Sequence, residues 1–547
     1  MTEFPENNSL SRRDFLKLVA AIAAGLNVNW TLPDVWAGGV RSDQPVVVIG
    51  AGLGGLSAAA LLARNGFPVT VIEQHEKPGG YAISFDRSAG KYTFEVSLHA
   101  TGSPSEGLKP VLEGAGIADK VHMVKLPGVL RIKTPDYDLR WPESGPESVV
   151  EEMVRLFPGE AAGIRGFFEE MAGILDEIRI PFKLDSEKDR AAFPETHKRL
   201  WAARNKTVSE MLDGFVHDEK ARALITYNWT YYGLPPSRLS GFYFSVATAS
   251  YLRYGSYYVK SRSQDLSDAL SDSIQSAGGK ILLETRAEGI VTEGQKITGV
   301  RLSDGRTIAA CAVVSNASVP ATVRMLPADV LPGDYLARLK SYRPSLSCFQ
   351  VWLGLKGDIR EKIDVCEALF LRQYDFDKSY QALLACDPLK ANLRMTVYDN
   401  FYQGYSQPGT STVSLIMLSG YEPWRRFEAD YFSGRKDEYR KEKERIANLL
   451  IEEAEQRFVP GLKSMIEVVE ASTPLTNLRY TGNPEGAIYG YEQSVDNAFL
   501  SRLQVKTPLK GLYFASAWSS PGGGYEPCLG SGAKACKALM QDWPARA

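Results

Sequence analysis

The stretch from Pro45 to Glu73 constrains this chain more than any other. Pro45-Val46-Val47-Val48-Ile49 is a continuous apolar run, as a strand buried on both faces of a parallel sheet requires. Gly50-Ala51-Gly52-Leu53-Gly54-Gly55 follows at once. Then come an Ala-rich helical segment from Leu56 to Asn65, a stop at Gly66, a second strand from Pro68 to Ile72, and an acid, Glu73. This order makes a complete βαβ unit. Gly50 permits the tight turn, Gly52 lets the backbone approach a pyrophosphate, and Gly55 lets the helix pack close to the strand. Glu73 stands 23 positions after Gly50, where an acid accepts ribose hydroxyls. A dinucleotide-binding α/β domain is expected.

The remaining composition narrows the class. At 547 residues the chain is too long for one ordinary core, so two domains or a large insertion are expected, with room to bury a cofactor. A net charge of −2 without a basic stripe excludes nucleic-acid binding, which needs phosphate neutralisation. The densest charge run, Gly434 to Arg445, mixes both signs and leads into Ile446, Leu449 and Leu450, which reads as a solvated helix face. Six cysteines, Cys311, Cys348, Cys366, Cys386, Cys528 and Cys536, contain no Cys-x-x-Cys pair, so no metal site is expected.

The N-terminus reads as an address. Ser11-Arg12-Arg13-Asp14-Phe15-Leu16-Lys17 matches the twin-arginine export motif, and a moderately apolar stretch from Leu18 to Val28 follows. Val35-Trp36-Ala37 offers a small residue where a signal peptidase would cut, so residues 1–37 are taken as the signal segment. The apolar stretch is too short to span a bilayer. Periplasmic residence is expected, with anchoring by an uncleaved signal as the alternative.

Beyond Glu73, the run Gln74-His75-Glu76-Lys77-Pro78-Gly79-Gly80-Tyr81 adds a second glycine pair near the ribose and pyrophosphate. This stretch resembles the flavoprotein superfamily that includes amine oxidases and phytoene desaturases, where an acid and a Gly-Gly pair follow the first glycines. That resemblance implies FAD rather than NAD. Those families often carry Arg after the Gly-Gly; Tyr81 stands there instead. Gly278 to Leu283, Ala287 and Ile290, Thr298 to Val300 and Asp304-Gly305 resemble the family's second strand pair, with the backbone near Ala287 meeting the adenine. Ala312 to Ala317 resembles the return to the nucleotide domain. Gly511 to Ala517, Pro521 to Gly524 and Leu529 to Ala533 resemble the C-terminal flavin motif. A helix starting near Cys528 would aim its positive end at the flavin. The resemblance thus assigns Gly50, Gly52, Gly54, Gly55, Glu73, Gln74, Gly79, Gly80, Tyr81, Ala287, Ser516, Gly524, Pro527 and Cys528 to cofactor binding.

Within that superfamily, Glu73-Gln74-His75, Phe94 to His99 and Thr473 to Asn477 with Gly486 and Tyr489-Gly490 look most like the retinol saturase branch of carotenoid desaturases and isomerases. Lys260-Ser261-Arg262-Ser263 departs from a usual Gly-Gly turn, and Ser97 replaces a usual glycine. The resemblance implies a Rossmann-like α/β FAD-binding domain of the GR2 type, from residues 44–105, 255–324 and 491–547. A discontinuous mixed α+β substrate domain would take residues 106–254 and 325–490. The latter is aromatic-rich: Tyr227, Trp229, Tyr231, Tyr232, Phe242, Tyr243, Phe244, Tyr251, Tyr254, Tyr257 and Tyr258 cluster, as an apolar channel or an ordinary core requires. His99, in a family-like motif near the expected flavin, is the candidate proton carrier, with a structural role as the alternative.

The expected function is FAD-dependent saturation or desaturation of carbon–carbon double bonds in a polyene or isoprenoid lipid. The alternatives are cis/trans isomerisation by reduced FAD, amine oxidation, and flavin carriage without catalysis. One dinucleotide fingerprint leaves no second site for NAD(P)H, so a quinone, a small redox protein or oxygen is the expected electron partner. Peripheral contact with a membrane would suit a lipid substrate.

Overall fold

The computed structural model of the protein describes residues 44–142, 145–180, 187–498 and 502–543. The export motif with Arg12 and Arg13, the stretch Leu18 to Val28 and Ala37 lie outside the described residues.

The βαβ unit forms where the sequence places it. Strands Val46–Ile49 and Val69–Ile72 pair in parallel, Val46 opposite Val69 and Ile49 opposite Ile72. All four residues of the first strand are buried, which explains why the run is uninterrupted Val and Ile rather than alternating. The helix Leu53–Arg64 between them buries every residue except Arg64. Its Gly, Ala and Ser positions let two helices, Ser263–Ser276 and the C-terminal Tyr525–Asp542, pack close against it.

Three further strands from distant parts of the chain complete the sheet. Its order is Leu512–Phe514, Ala312–Ser315, Val46–Ile49, Val69–Ile72, Lys280–Leu282, all parallel. The antiparallel sheet Ala287–Glu293, Lys296–Leu302, Thr307–Ala309 flanks it. The core beneath the parallel sheet also contains Leu108, Val111, Leu112, Ile117, Val121 and Leu126, and so extends past residue 105.

The second layer is a seven-stranded sheet in the order Ile466–Ser472, Ser347–Lys356, Thr410–Ser419, Leu393–Val397, Glu367–Phe370, Val129–Lys133, Asp138–Pro142. Gln350 lies opposite Ile416, and Ile416 opposite Arg394, so these three form one row. Strand alternation then separates two faces. Phe349, Val351 and Leu353 join the core that contains Ile446 and Leu450 of the helix Asp437–Arg457, whose first turns, mostly exposed apart from Tyr439, take in the charged run from Asp437 to Arg445. Cys348, Gln350 and Trp352 turn to the opposite face, where a cavity separates this sheet from the nucleotide-binding sheet. No helix among the described residues is long and apolar enough to cross a membrane.

Candidate active site

The first strand ends in a turn with Gly50 at φ +92°, a left-handed conformation natural only to glycine. Gly52 caps the following helix at φ −74° and ψ 172°, which any residue can adopt. Its lack of a side chain has a different reason. A Cβ there would stand 2.4 Å from Asn316 Oδ1. The Gly52 N–H donates to that same oxygen at 3.0 Å, while Asn316 Nδ2 donates to the Ala515 carbonyl at 2.6 Å. Asn316 therefore ties together the ends of three strands of the parallel sheet. The sequence had shown Asn316 only as part of a returning strand; its clamping role becomes visible when its neighbours are known.

Gly54 and Gly55 answer to packing. A Cβ on Gly54 would lie 2.1 Å from the Ala515 carbonyl, and one on Gly55 2.1 Å from the Gly50 carbonyl. Gly55 faces the strand, as expected, and lies away from the cavity that Gly50, Gly52 and Gly54 line. Gly532 of the C-terminal helix meets the same loop from the other side, its Cβ position 2.3 Å from the Gly54 carbonyl.

Glu73 closes the loop. Its Oε2 accepts from the Ala51 N–H at 2.7 Å and its Oε1 from the His75 N–H at 3.0 Å. The carboxylate is thereby fixed beside the glycine turn, with lone pairs left for further donors. Gln74, beside it, donates from its amide to the Tyr480 carbonyl at 3.1 Å. Gly79, at φ +129°, donates to the Ala51 carbonyl at 2.7 Å, so the second glycine pair lies on the first loop. A Cβ on Gly80 would approach Gly52 Cα to 3.2 Å.

The two departures near this loop are coupled. Ser97 Oγ donates to the Tyr81 carbonyl at 2.9 Å and lies 3.1 Å from the Tyr525 hydroxyl, which reaches the same carbonyl at 3.2 Å. Ser97 thus pins Tyr81 to the C-terminal helix. The missing Gly-Gly turn is also resolved: Ser261 and Arg262 adopt φ +71° and +86° without being glycine. Arg262 is held there by bonds to the Thr93 and Tyr405 carbonyls and by stacking over the Tyr405 ring. The adjacent Ser263 N–H donates to the buried Glu95 at 2.9 Å.

The C-terminal helix begins at Tyr525, one turn earlier than read from sequence, with Gly524 as its cap at φ +115° and no side chain covering its first N–H groups. Ser516, Gly524, Pro527 and Cys528 line the cavity, as does Ala287. Burial pushes the Cys528 thiol up to about 12, so it stays protonated and unreactive at neutral pH. No disulfide joins the cysteines among the described residues.

Arg502 was not anticipated. It is fully buried, and its guanidinium donates to the carbonyls of Tyr491 at 2.9 Å, Asn497 at 3.3 Å and Tyr489 at 3.4 Å, and also to that of Ala517. Burial lowers it to about 10, still charged at neutral pH. A cation satisfied by carbonyls alone makes the wall of the site from two loops.

Apart from Gly55, the residues that the sequence assigns to cofactor binding line one cavity of about 1860 Å³, and Asn316 lines it with them. That is about twice the upper range for a single drug-sized ligand, enough for a dinucleotide and a second molecule. The aromatic cluster divides between the two readings. Tyr231, Tyr232, Tyr243, Tyr251 and Tyr254 line the cavity, whereas Trp229, Phe242, Phe244 and Tyr258 are buried core. His99 also lines the cavity. Its Nδ1 meets Thr396 Oγ1 at 2.5 Å and lies 4.0 Å from Glu367, which pairs with the buried Arg394. Burial lowers His99 to about 4, so the ring is neutral at physiological pH.

The site fits FAD by its own geometry. Two stacked glycine loops leave the Cα positions of Gly52 and Gly80 bare, an acid is pinned beside the first of them, and an uncapped helix end faces the same cavity. FAD is the cofactor, and the chain is an FAD-dependent oxidoreductase. Comparison with known proteins agrees. The chain is 25% identical over 507 residues to the all-trans-retinol 13,14-reductase of Macaca fascicularis, covering 87% of this chain and 82% of that one. It is 26% identical over 522 residues to the lycopene-forming phytoene desaturase of Pantoea ananas, covering 91% and 99%. Among solved structures, the cyclohexylamine oxidase of Brevibacterium oxydans shares the fold, with TM-score 0.60, 17% identity and coverage of 92% and 100%. The model for flavin containing amine oxidoreductases matches residues 53–540. With nucleotide loop, acid, glycine pair and C-terminal helix joined in one cavity, the chain belongs to the flavin containing amine oxidoreductase family.

Proposed function

We propose that the protein transfers a hydride to a carbon–carbon double bond of an apolar polyene or isoprenoid lipid, or from the saturated carbon pair that becomes one. The observation that carries this reading is the continuity of the cavity. It runs from the nucleotide loops into a chamber walled by Tyr231, Tyr232, Tyr243, Ile416, Ile488 and Tyr489. Aromatic and aliphatic walls of this kind hold a long unsaturated chain by area and shape rather than by charge. Relatives named for retinol reduction and phytoene desaturation support the same substrate class.

Bound FAD supplies two-electron hydride chemistry. The chain's own residues orient it and set the charge around it. The first turn of Tyr525–Asp542 presents free N–H groups at the cavity, which favours negative charge there. Arg502 fixes the loops bearing Tyr489 and Ala517, so the chamber keeps its shape while substrates change. The buried Arg394–Glu367 pair and Thr396 hold His99 against the chamber wall.

We further propose export by the twin-arginine route, which carries folded proteins and so admits a preloaded cofactor. Electrons then pass to or from a quinone, a small redox protein or oxygen, and peripheral contact with a membrane gives access to the lipid. The central test is anaerobic incubation of dithionite-reduced holoprotein with all-trans-retinol and with an acyclic carotene, followed by mass analysis. A gain of one hydrogen pair establishes saturation. Unchanged mass with altered geometry establishes isomerisation, and a polyene left untouched both by the reduced holoprotein and by oxidised holoprotein run in parallel refutes the substrate class.

A further inference from the structure

Glu526 stands in the first turn of the C-terminal helix, half-buried and lining the cavity. No hydrogen bond to its carboxyl occurs among the described residues. The chain opposite is cut back to receive it: a Cβ on Gly102 or on Gly107 would stand 1.6 Å from a carboxyl oxygen. An ionised carboxylate here would oppose the helix end in favouring negative charge on a bound flavin; a neutral acid would not. We propose that Glu526 is the catalytic acid–base residue that carries the proton of the double-bond reaction, an inference that rests on the substrate class proposed above. Reducing a double bond adds a hydride equivalent to one carbon and a proton to the other. Bound reduced FAD would supply the hydride; the proton leaves the Glu526 carboxyl as the new C–H bond forms, and a carboxylate remains. In the oxidative direction, the carboxylate takes the proton instead.

The surroundings suit the task. Burial and the nearby Glu106 raise the Glu526 carboxyl to about 7, against a smaller opposing pull from Arg179. Tyr251 faces the same group from the helix Gly241–Tyr254, and Arg179, stacked on Tyr254, donates to Glu106 at 3.2 Å. Glu106 itself is exposed. An acid near the working pH transfers protons in both directions. His99, lowered to about 4, is a weak base and holds little proton at neutral pH.

The test uses the FAD-loaded full chain with Glu526→Gln and, to guard against a folding defect, Glu526→Asp. Infrared spectra recorded from about pH 5 to about pH 9 should show a protonated carboxyl titrating near neutrality in wild type and absent from E526Q. E526Q should lose about 10²- to 10⁴-fold in turnover of a polyene accepted by the wild type. E526D should recover part of that loss, with a shifted pH profile. A titrating band that persists in E526Q, or full turnover by E526Q, overturns the assignment. Wild type that turns over no polyene, yet shows the band, overturns the double-bond role together with the substrate class and leaves the neutral acid established.

Discussion

Gly52→Ala tests the account of the nucleotide loop most sharply, because the backbone at Gly52 already lies at φ −74° and imposes no penalty on alanine. Only the contact with Asn316 Oδ1, 2.4 Å from the new Cβ, is at stake. Asn316 cannot turn away freely: one end of its amide accepts from Gly52 and the other donates to Ala515. Displacing it breaks two bonds, each contributing about 1 kcal/mol net and about 2 kcal/mol when a buried partner is left unsatisfied. A total loss of about 2–4 kcal/mol in stability follows. If the same displacement is expressed in cofactor binding, the FAD dissociation constant rises about 30- to 1,000-fold, since each factor of ten corresponds to about 1.4 kcal/mol. Denaturant unfolding of apoprotein and titration of flavin fluorescence measure the two effects. The decisive comparison is a double-mutant cycle with Asn316→Ala, which removes both bonds and the obstacle together. In that background Gly52→Ala should cost under about 1 kcal/mol, leaving a coupling of about 1–3 kcal/mol. Additive losses, to within about 0.5 kcal/mol, would refute the clamp.

Gly54→Ala meets a backbone carbonyl, Ala515 O at 2.1 Å, that has no rotamer to yield. It should cost about 3 kcal/mol, and recovery of stable, fully flavinated protein would contradict this packing. Replacing Arg12 and Arg13 by Lys should trap active enzyme in the cytoplasm, as cell fractionation would reveal; unchanged export rules out the twin-arginine reading. Oxidised holoprotein mixed anaerobically with NADH or NADPH in a stopped-flow instrument should bleach slowly or not at all, and rapid bleaching defeats the expected electron partners. Glu526→Gln should alter stability with a definite sign. The native carboxyl, raised to about 7 from the ordinary 4.5, keeps its proton where the unfolded chain has released it. Wild-type stability therefore falls relative to E526Q as pH rises through that window, and the difference persists above it. Denaturation at about pH 4 and about pH 8 checks this; an equal difference at both would show that Glu526 ionises normally.

How far the sequence reaches follows from the distance between interacting residues. Strand, glycine turn, helix and acid lie within one stretch from Val46 to Glu73, and each residue there answers to its near neighbours, so order and identity alone specify the unit. The aromatic cluster was also legible as a group. Which rings face the cavity was not, because Tyr231 and Trp229 differ only in the direction that packing gives them. Glycines at 102 and 107 carry no message until Glu526, more than four hundred positions later, is placed between them. The same holds for Arg502, whose carbonyl partners come from two loops, and for Asn316, whose partners Gly52 and Ala515 stand on opposite sides of it in sequence. Ser261 and Arg262 show the reverse case. A left-handed turn that local propensity assigns to glycine is held by bonds from Arg262 to Thr93 and Tyr405, because tertiary contacts offset a backbone strain of about 1–2 kcal/mol per residue. The sequence alone determined the nucleotide-binding unit through contacts made along the chain; only the tertiary structure decided the proton-bearing wall, the clamp and the chamber, since each is made from residues that meet after the two sheets have packed.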